Sequence, residues 1–141
     1  MSRESRIHAG ILLVVFPSVV WGGVSLLRML VGDASYMQNP LRQDLWRAGH
    51  AHAGVLLILS LVALRYVDEA ALPPALQQLV RRAIPLSAIF LPLAFFLSVL
   101  SPSSTAPNAL LSLAYVGAAL LAVGLFVLGV GLLRRREDRA G

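Results

Sequence analysis

Residues 108–133 read NALLSLAYVGAALLAVGLFVLGVGLL, and none of them is charged. A membrane-crossing helix needs about 20 mostly apolar residues, each rising about 1.5 Å, so this stretch can span a bilayer unaided. Three further stretches meet the same requirement, roughly His8 to Val31, Gly49 to Val67 and Ala83 to Leu100. Of the 141 residues, 57% are hydrophobic and 13% charged, against roughly 25% charged in an ordinary soluble domain. The expectation is an all-α integral membrane four-helix bundle. It forms one domain, 1–141, with spans near 8–31, 49–67, 83–100 and 108–133.

The first run follows Arg3 and Arg6 and resembles a signal peptide in its start, but it continues through Trp21 to Met29 without a clear small-x-small cleavage site. It reads as a retained span. All 12 basic residues are arginine, and the net charge of +5 gathers near the chain ends and in one connection. A nucleic-acid binder needs a basic stripe, so no nucleic-acid partner is expected. Cysteine is absent, which excludes disulfides, thiolate metal sites and cysteine catalysis.

Cytoplasmic flanks carry the excess of positive charge. An inner N-terminus puts Arg3, Arg6, Arg65, Arg81, Arg82, Arg134, Arg135, Arg136 and Arg139 on the cytoplasmic side, leaving Arg28, Arg42 and Arg47 outside. Both termini are therefore expected in the cytoplasm, with the chain multi-pass in a bacterial inner or plasma membrane. The Gly32–Ala48 connection is expected outside, where Tyr36 and Trp46 suit the headgroup level. The stretch from Asp68 to Ala83 reads as a solvated linker with an interfacial turn, or a short surface helix after Pro74. Residues Ser101 to Pro107 read as an uncharged external turn.

Pro17, Pro85 and Pro92 fall inside spans and remove backbone donors there. In the last span Gly117, Gly124 and Gly131 recur every seven residues, a stripe that admits another helix at close range. The pattern leaves open whether that helix belongs to the same chain.

Two of the three histidines, His50 and His52, stand at the outer end of the second span. Ionisable residues at membrane depth call for a functional hypothesis. At 100° per residue they point about 200° apart, so a regular helix does not turn both onto one metal ion. Ala48, Gly49, Ala51, Ala53 and Gly54 surround them, with Gly54 one turn below His50. That lack of bulk lets a flat macrocycle lie against the helix; the other reading is interfacial histidines bonded to headgroups, water or carbonyls among small packing residues. His8 starts the first span roughly 35 Å away at helical rise and reads as an interfacial residue, not a co-ligand.

The motif His50-Ala51-His52 at the outer end of a second span, behind a cytoplasmic N-terminus, resembles the haem-copper oxidase and nitric oxide reductase superfamily. It looks like a short four-span relative of the large catalytic subunit. In that family twelve spans form three arcs of four, and a His-x-His pair serves haems on opposite sides. The resemblance implies that this chain is one arc and that a homotrimer completes the ring, since a heterologous contact that closes gives a cyclic oligomer. It further implies that His50 and His52 of adjacent copies ligate a b-type haem. Filling both axial positions suits electron transfer or haem handling, with a redox protein or quinone as partner.

The same resemblance directs haem propionates toward Arg42, Trp46 and Arg47, since arginine's planar fork pairs with carboxylates; lipid phosphate is the competing ligand for these arginines. Arg28 and Asp33 are further candidates for propionate or ion-pair contacts. The family's oxygen chemistry needs copper-site histidines and a tyrosine. This chain has no third histidine at that depth, and Tyr66 is at the wrong end of its span, so oxygen reduction is not expected. A rival expectation is a cofactor-free accessory subunit or assembly factor, docking through the glycine stripe.

Overall fold

The computed structural model describes residues 1–140, with side chains through Arg134. The elements are α1 (Arg3–Gly32), α2 (Ala34–Met37), α3 (Pro40–Tyr66), α4 (Pro74–Ser98), a 3-10 turn (Ala109–Ser112) and α5 (Leu113–Ala140). Among the described residues there is no strand. Four helices are long and apolar enough to cross a membrane. The side chains of Arg135, Arg136, Glu137, Asp138 and Arg139, which carried part of the charge reading, lie outside the described residues.

The helix starts follow from local chemistry. Ser2 caps α1 by accepting from the Ser5 amide, and Glu4 lies in the first turn, where a negative charge opposes the helix dipole. Asp33 ends α1 and caps α2, accepting from the amides of Ser35 and Tyr36. Asn39 caps α3 and Pro40 opens it, a position where the missing amide hydrogen costs nothing. Thus α3 begins at Pro40 and not near Gly49, so Arg42, Trp46 and Arg47 belong to its first turns and not to a connection. Likewise α4 begins at Pro74, which makes most of the expected inner linker part of a spanning helix.

The helices pack in chain order: α1 on α3, α3 on α4 and α4 on α5, with α3 also touching α5. Among the described residues no extensive contact joins α1 to α5, so the bundle is open along that side. In the most apolar window of α1 only 6% of the residues are buried, against 50% for α4, which makes α1 an edge helix and α4 the centre. One core cluster joins Ala63 of α3 and Val67, which caps its end, to Val80 and Ile84 of α4 and Leu128 of α5. A second joins Leu56 and Leu57 to Ala88 and Leu91, with Leu12 and Phe16 of α1 packed against it.

The glycine stripe is occupied within the chain. A Cβ at Gly124 would stand 2.6 Å from Ile84 Cγ1, one at Gly117 would stand 2.8 Å from Leu91 Cγ, and one at Gly131 would stand 2.5 Å from Leu72 Cγ. The close approach is between α5, α4 and the α3–α4 connection, which the heptad spacing alone left undecided.

The start of α1, the α3–α4 connection and the end of α5 meet at one end. Ala71 donates its amide to Gly131 there at 2.9 Å, and a polar latch lies beside it. Arg81, 6% exposed, donates to Asp68 Oδ1 (2.7 Å), Ser5 Oγ (3.0 Å), Glu4 Oε2 (3.1 Å) and Gln77 Oε1 (3.1 Å). Asp68 also accepts from the Ser5 hydroxyl at 3.0 Å and the Ser2 amide at 2.5 Å. Burial alone would raise the Asp68 pKa, but the hydrogen bonds from Arg81, Ser2 and Ser5 outweigh it and hold the carboxyl down at about 2.

Candidate functional site

The opposite end carries the histidine pair. His50 enters the seam between α3 and α1. Its ring faces the Gly22–Gly23 pair, where a Cβ on Gly23 would stand 3.0 Å from His50 Nε2. Neither ring nitrogen of His50 has a hydrogen-bond partner among the described residues. Gly54 lies in the same seam, where an added Cβ would meet Val19 at 3.8 Å, ordinary contact distance.

His52 diverges from His50 and is exposed. Its ring lies 5.1 Å from that of Phe95 on α4, and its Nδ1 is 2.7 Å from the Ala48 carbonyl. A carbonyl only accepts, so Nδ1 carries the hydrogen and donates, and Nε2 has no partner among the described residues. A histidine that ligates a metal usually donates its other ring N–H to a carbonyl or carboxylate in this way. The fold does not bring the two rings together. Among the described residues no group of three or more histidine, cysteine, aspartate or glutamate side chains is placed to hold a metal ion.

Above the histidines, Arg42 and Trp46 form one unit. The Arg42 guanidinium sits 4.1 Å from the Trp46 ring centroid, a cation–π arrangement, and Trp46 Nε1 donates to the Phe96 carbonyl at 3.2 Å. Tyr36, 1% exposed, packs at 6.1 Å from the Trp46 ring. Burial pushes the Tyr36 phenol above its ordinary pKa, with Arg47 and Arg42 opposing. Arg42 is 8% exposed, and its buried Nε has no hydrogen-bond partner. A buried unpaired donor is costly, and none of the described residues satisfies this one.

The other candidates separate. Arg47 is exposed and pairs with Asp44 at 2.7 Å, so it stands apart from the Arg42 stack. Asp33 accepts from the Ser35 hydroxyl at 2.6 Å and from the Ser35 and Tyr36 amides, and these bonds, the hydroxyl first, lower its pKa. It forms no ion pair with Arg28 among the described residues. Tyr66 ends α3 at the latch side, remote from the histidines, and His8 lies in the second turn of α1.

Sequence reasoning missed Gly22, Gly23, Phe95 and Phe96 as neighbours of the site. The signal available was depth: counted along the alternating spans, Gly22–Gly23 in the first and Phe95–Phe96 in the third fall toward the same end of the bundle as His50. In comparisons with family models, with curated proteins and with solved structures, the chain matches none.

Proposed function

We propose that this chain is a membrane haem protein that holds b-type haem through His50 and His52, shared between copies in a homotrimer, for electron transfer or haem handling. The observation that carries the reading is His52: an exposed imidazole whose Nδ1–H is tied to Ala48 and whose Nε2 has no partner among the described residues. A histidine that ligates a metal donates its other ring N–H to a carbonyl or carboxylate in this way; His8 shows the same bond to Glu4, and what sets His52 apart is its place two residues from His50 at the same end of α3.

Three further features fit the group. His50 has uncommitted nitrogens beside a glycine pair. Arg42, stacked on Trp46, brings to the same end of α3 a guanidinium of the kind that pairs with a propionate. The chain-order row of helices, open at one side, is the shape that one arc of a larger ring requires. When bound, haem supplies one-electron redox chemistry. His50 and His52, from two copies, would hold it, and the neighbouring arginines would set the surrounding charge. On the positive-inside argument both termini lie on the cytoplasmic side of a bacterial inner membrane, and a quinone or redox protein would be the partner in electron exchange.

The test is an absorption spectrum of detergent-purified protein, oxidised and dithionite-reduced, after expression with ample haem supply. A sharp Soret band with resolved α and β bands is expected, lost in His50→Ala and in His52→Ala. A featureless spectrum sinks the proposal. Crosslinking that yields monomer alone removes the shared-ligand arrangement. The glycine stripe, which motivated a docking subunit, is already filled by α4 and Leu72.

A further inference from the structure

At the latch end, away from the histidine pair, α1 and α4 enclose a cleft of about 300 Å³. Ile11 and Leu12 of α1 face Leu86 and Ile89 of α4 across it, and His8, Arg81 and Arg82 line it one turn nearer the latch. The volume equals roughly ten waters at ~30 Å³ each, room for a segment of hydrocarbon chain. Leu86 and Ile89 are exposed, so in a bilayer the cleft opens toward lipid.

Neighbouring arginines differ in how their charge is met. Arg81 is consumed by Asp68 and Glu4. Arg82 is exposed and has no carboxylate partner among the described residues. Its guanidinium is held by a neutral group: the Gln78 amide, with its oxygen turned toward Arg82, accepts from Nε at 3.1 Å and Nη2 at 2.8 Å while its nitrogen donates to Glu4. Arg82 is therefore positioned without being neutralised. His8 lies 2.9 Å through Nδ1 from the Glu4 carbonyl, so that nitrogen donates and Nε2 stays uncommitted.

We propose that this cleft seats one anionic phospholipid, with an acyl chain along Ile11, Leu12, Leu86 and Ile89 and the phosphate on Arg82 beside His8. An unneutralised guanidinium forms charge-assisted bonds to phosphate, and basic pockets between spanning helices at a membrane face are suited to acidic headgroups. A choline headgroup would bring a second cation against Arg82. The α4–α5 groove at Leu79, Tyr115, Val116 and Leu120 supplies the contrast, since no charged residue lines it and nothing there tells one headgroup from another.

The test uses the full chain in neutral detergent. Retention of phosphatidylglycerol and of phosphatidylcholine with the same acyl chains is read by native mass spectrometry, and stabilisation by a thermal shift. Phosphatidylglycerol is expected to be retained about tenfold better, and Arg82→Gln to lower that retention on the order of fivefold. Arg134→Gln, at the same end but on α5, should leave it unchanged. Leu86→Trp, on an exposed position, should lower retention of both lipids while circular dichroism reports an unchanged helix content. Equal retention of the two lipids, equal effects of Arg82→Gln and Arg134→Gln, or stabilisation by inorganic phosphate alone matching that by phosphatidylglycerol would each overturn the proposal. Haem occupancy plays no part in the readout.

Discussion

Arg81 and Asp68 form an ion pair at 2.7 Å, with side chains 7% and 13% exposed, at the point where α4, the α3–α4 connection and the start of α1 converge. Removing one partner of a buried pair strands the other charge, at a cost of about 3–5 kcal/mol. Asp68→Asn is expected at the low end of that range, because Glu4 still faces Arg81. The double change Arg81→Met with Asp68→Leu is expected to cost less than either single one. Urea or thermal unfolding in detergent measures both; a double variant weaker than the singles would refute the argument.

The same carboxyl sets a pH dependence. Its pKa is about 2 in the folded chain against 3.8 for an unperturbed aspartate. The stabilisation is therefore fully present above about pH 4 and is lost as pH falls toward 2. Melting temperature should drop across that window more steeply in the parent chain than in Asp68→Asn.

The glycines of α5 sort by what stands opposite them. Gly124→Ala places a methyl against Ile84 and Gly117→Ala one against Leu91, so each should destabilise by about 1–3 kcal/mol through overpacking. Gly129 has nothing within 4 Å of an added Cβ. Gly129→Ala should therefore be neutral, or stabilise by up to about 1 kcal/mol from helix propensity.

In the α1–α3 seam, Gly23→Ala sets a methyl 3.0 Å from His50 Nε2 and forces the ring or the helix to move. Haem content per chain, read from the reduced spectrum, should fall several-fold. Gly54→Ala meets Val19 at 3.8 Å and should leave it unchanged. Equal haem content in both variants would disconnect the glycine pair from His50.

Arg42 carries an orphaned buried Nε. Arg42→Met removes that unsatisfied donor and keeps a long side chain over Trp46. Stability without cofactor should thus change by less than about 1.5 kcal/mol, while haem retention weakens. Loss of stability with unchanged haem retention would make Arg42 structural only.

The spans were legible because hydropathy over about 20 residues is a local property. Their starts were not: Arg42, Asp44 and Arg47 give the first turns of α3 the look of a loop, yet Asn39 and Pro40 are a helix-start signal. The divergence of His50 and His52 followed from helical geometry alone. What each ring meets did not, since Gly23 and Phe95 arrive from other helices and only the packing order brings them in. The latch was illegible for the same reason. Ser5, Asp68 and Arg81 are far apart in the chain, and each alone reads as a surface residue.

The edge position of α1 has a mechanical consequence. The helix has 30 residues, about 45 Å at 1.5 Å rise, while a typical hydrocarbon core is about 30 Å thick. Fastened at its foot by the latch and supported laterally on one flank, α1 is the helix that a change of bilayer thickness would tilt most readily. Gly23, which faces the imidazole of His50, rides on that helix, so haem content should be compared in bilayers of different thickness.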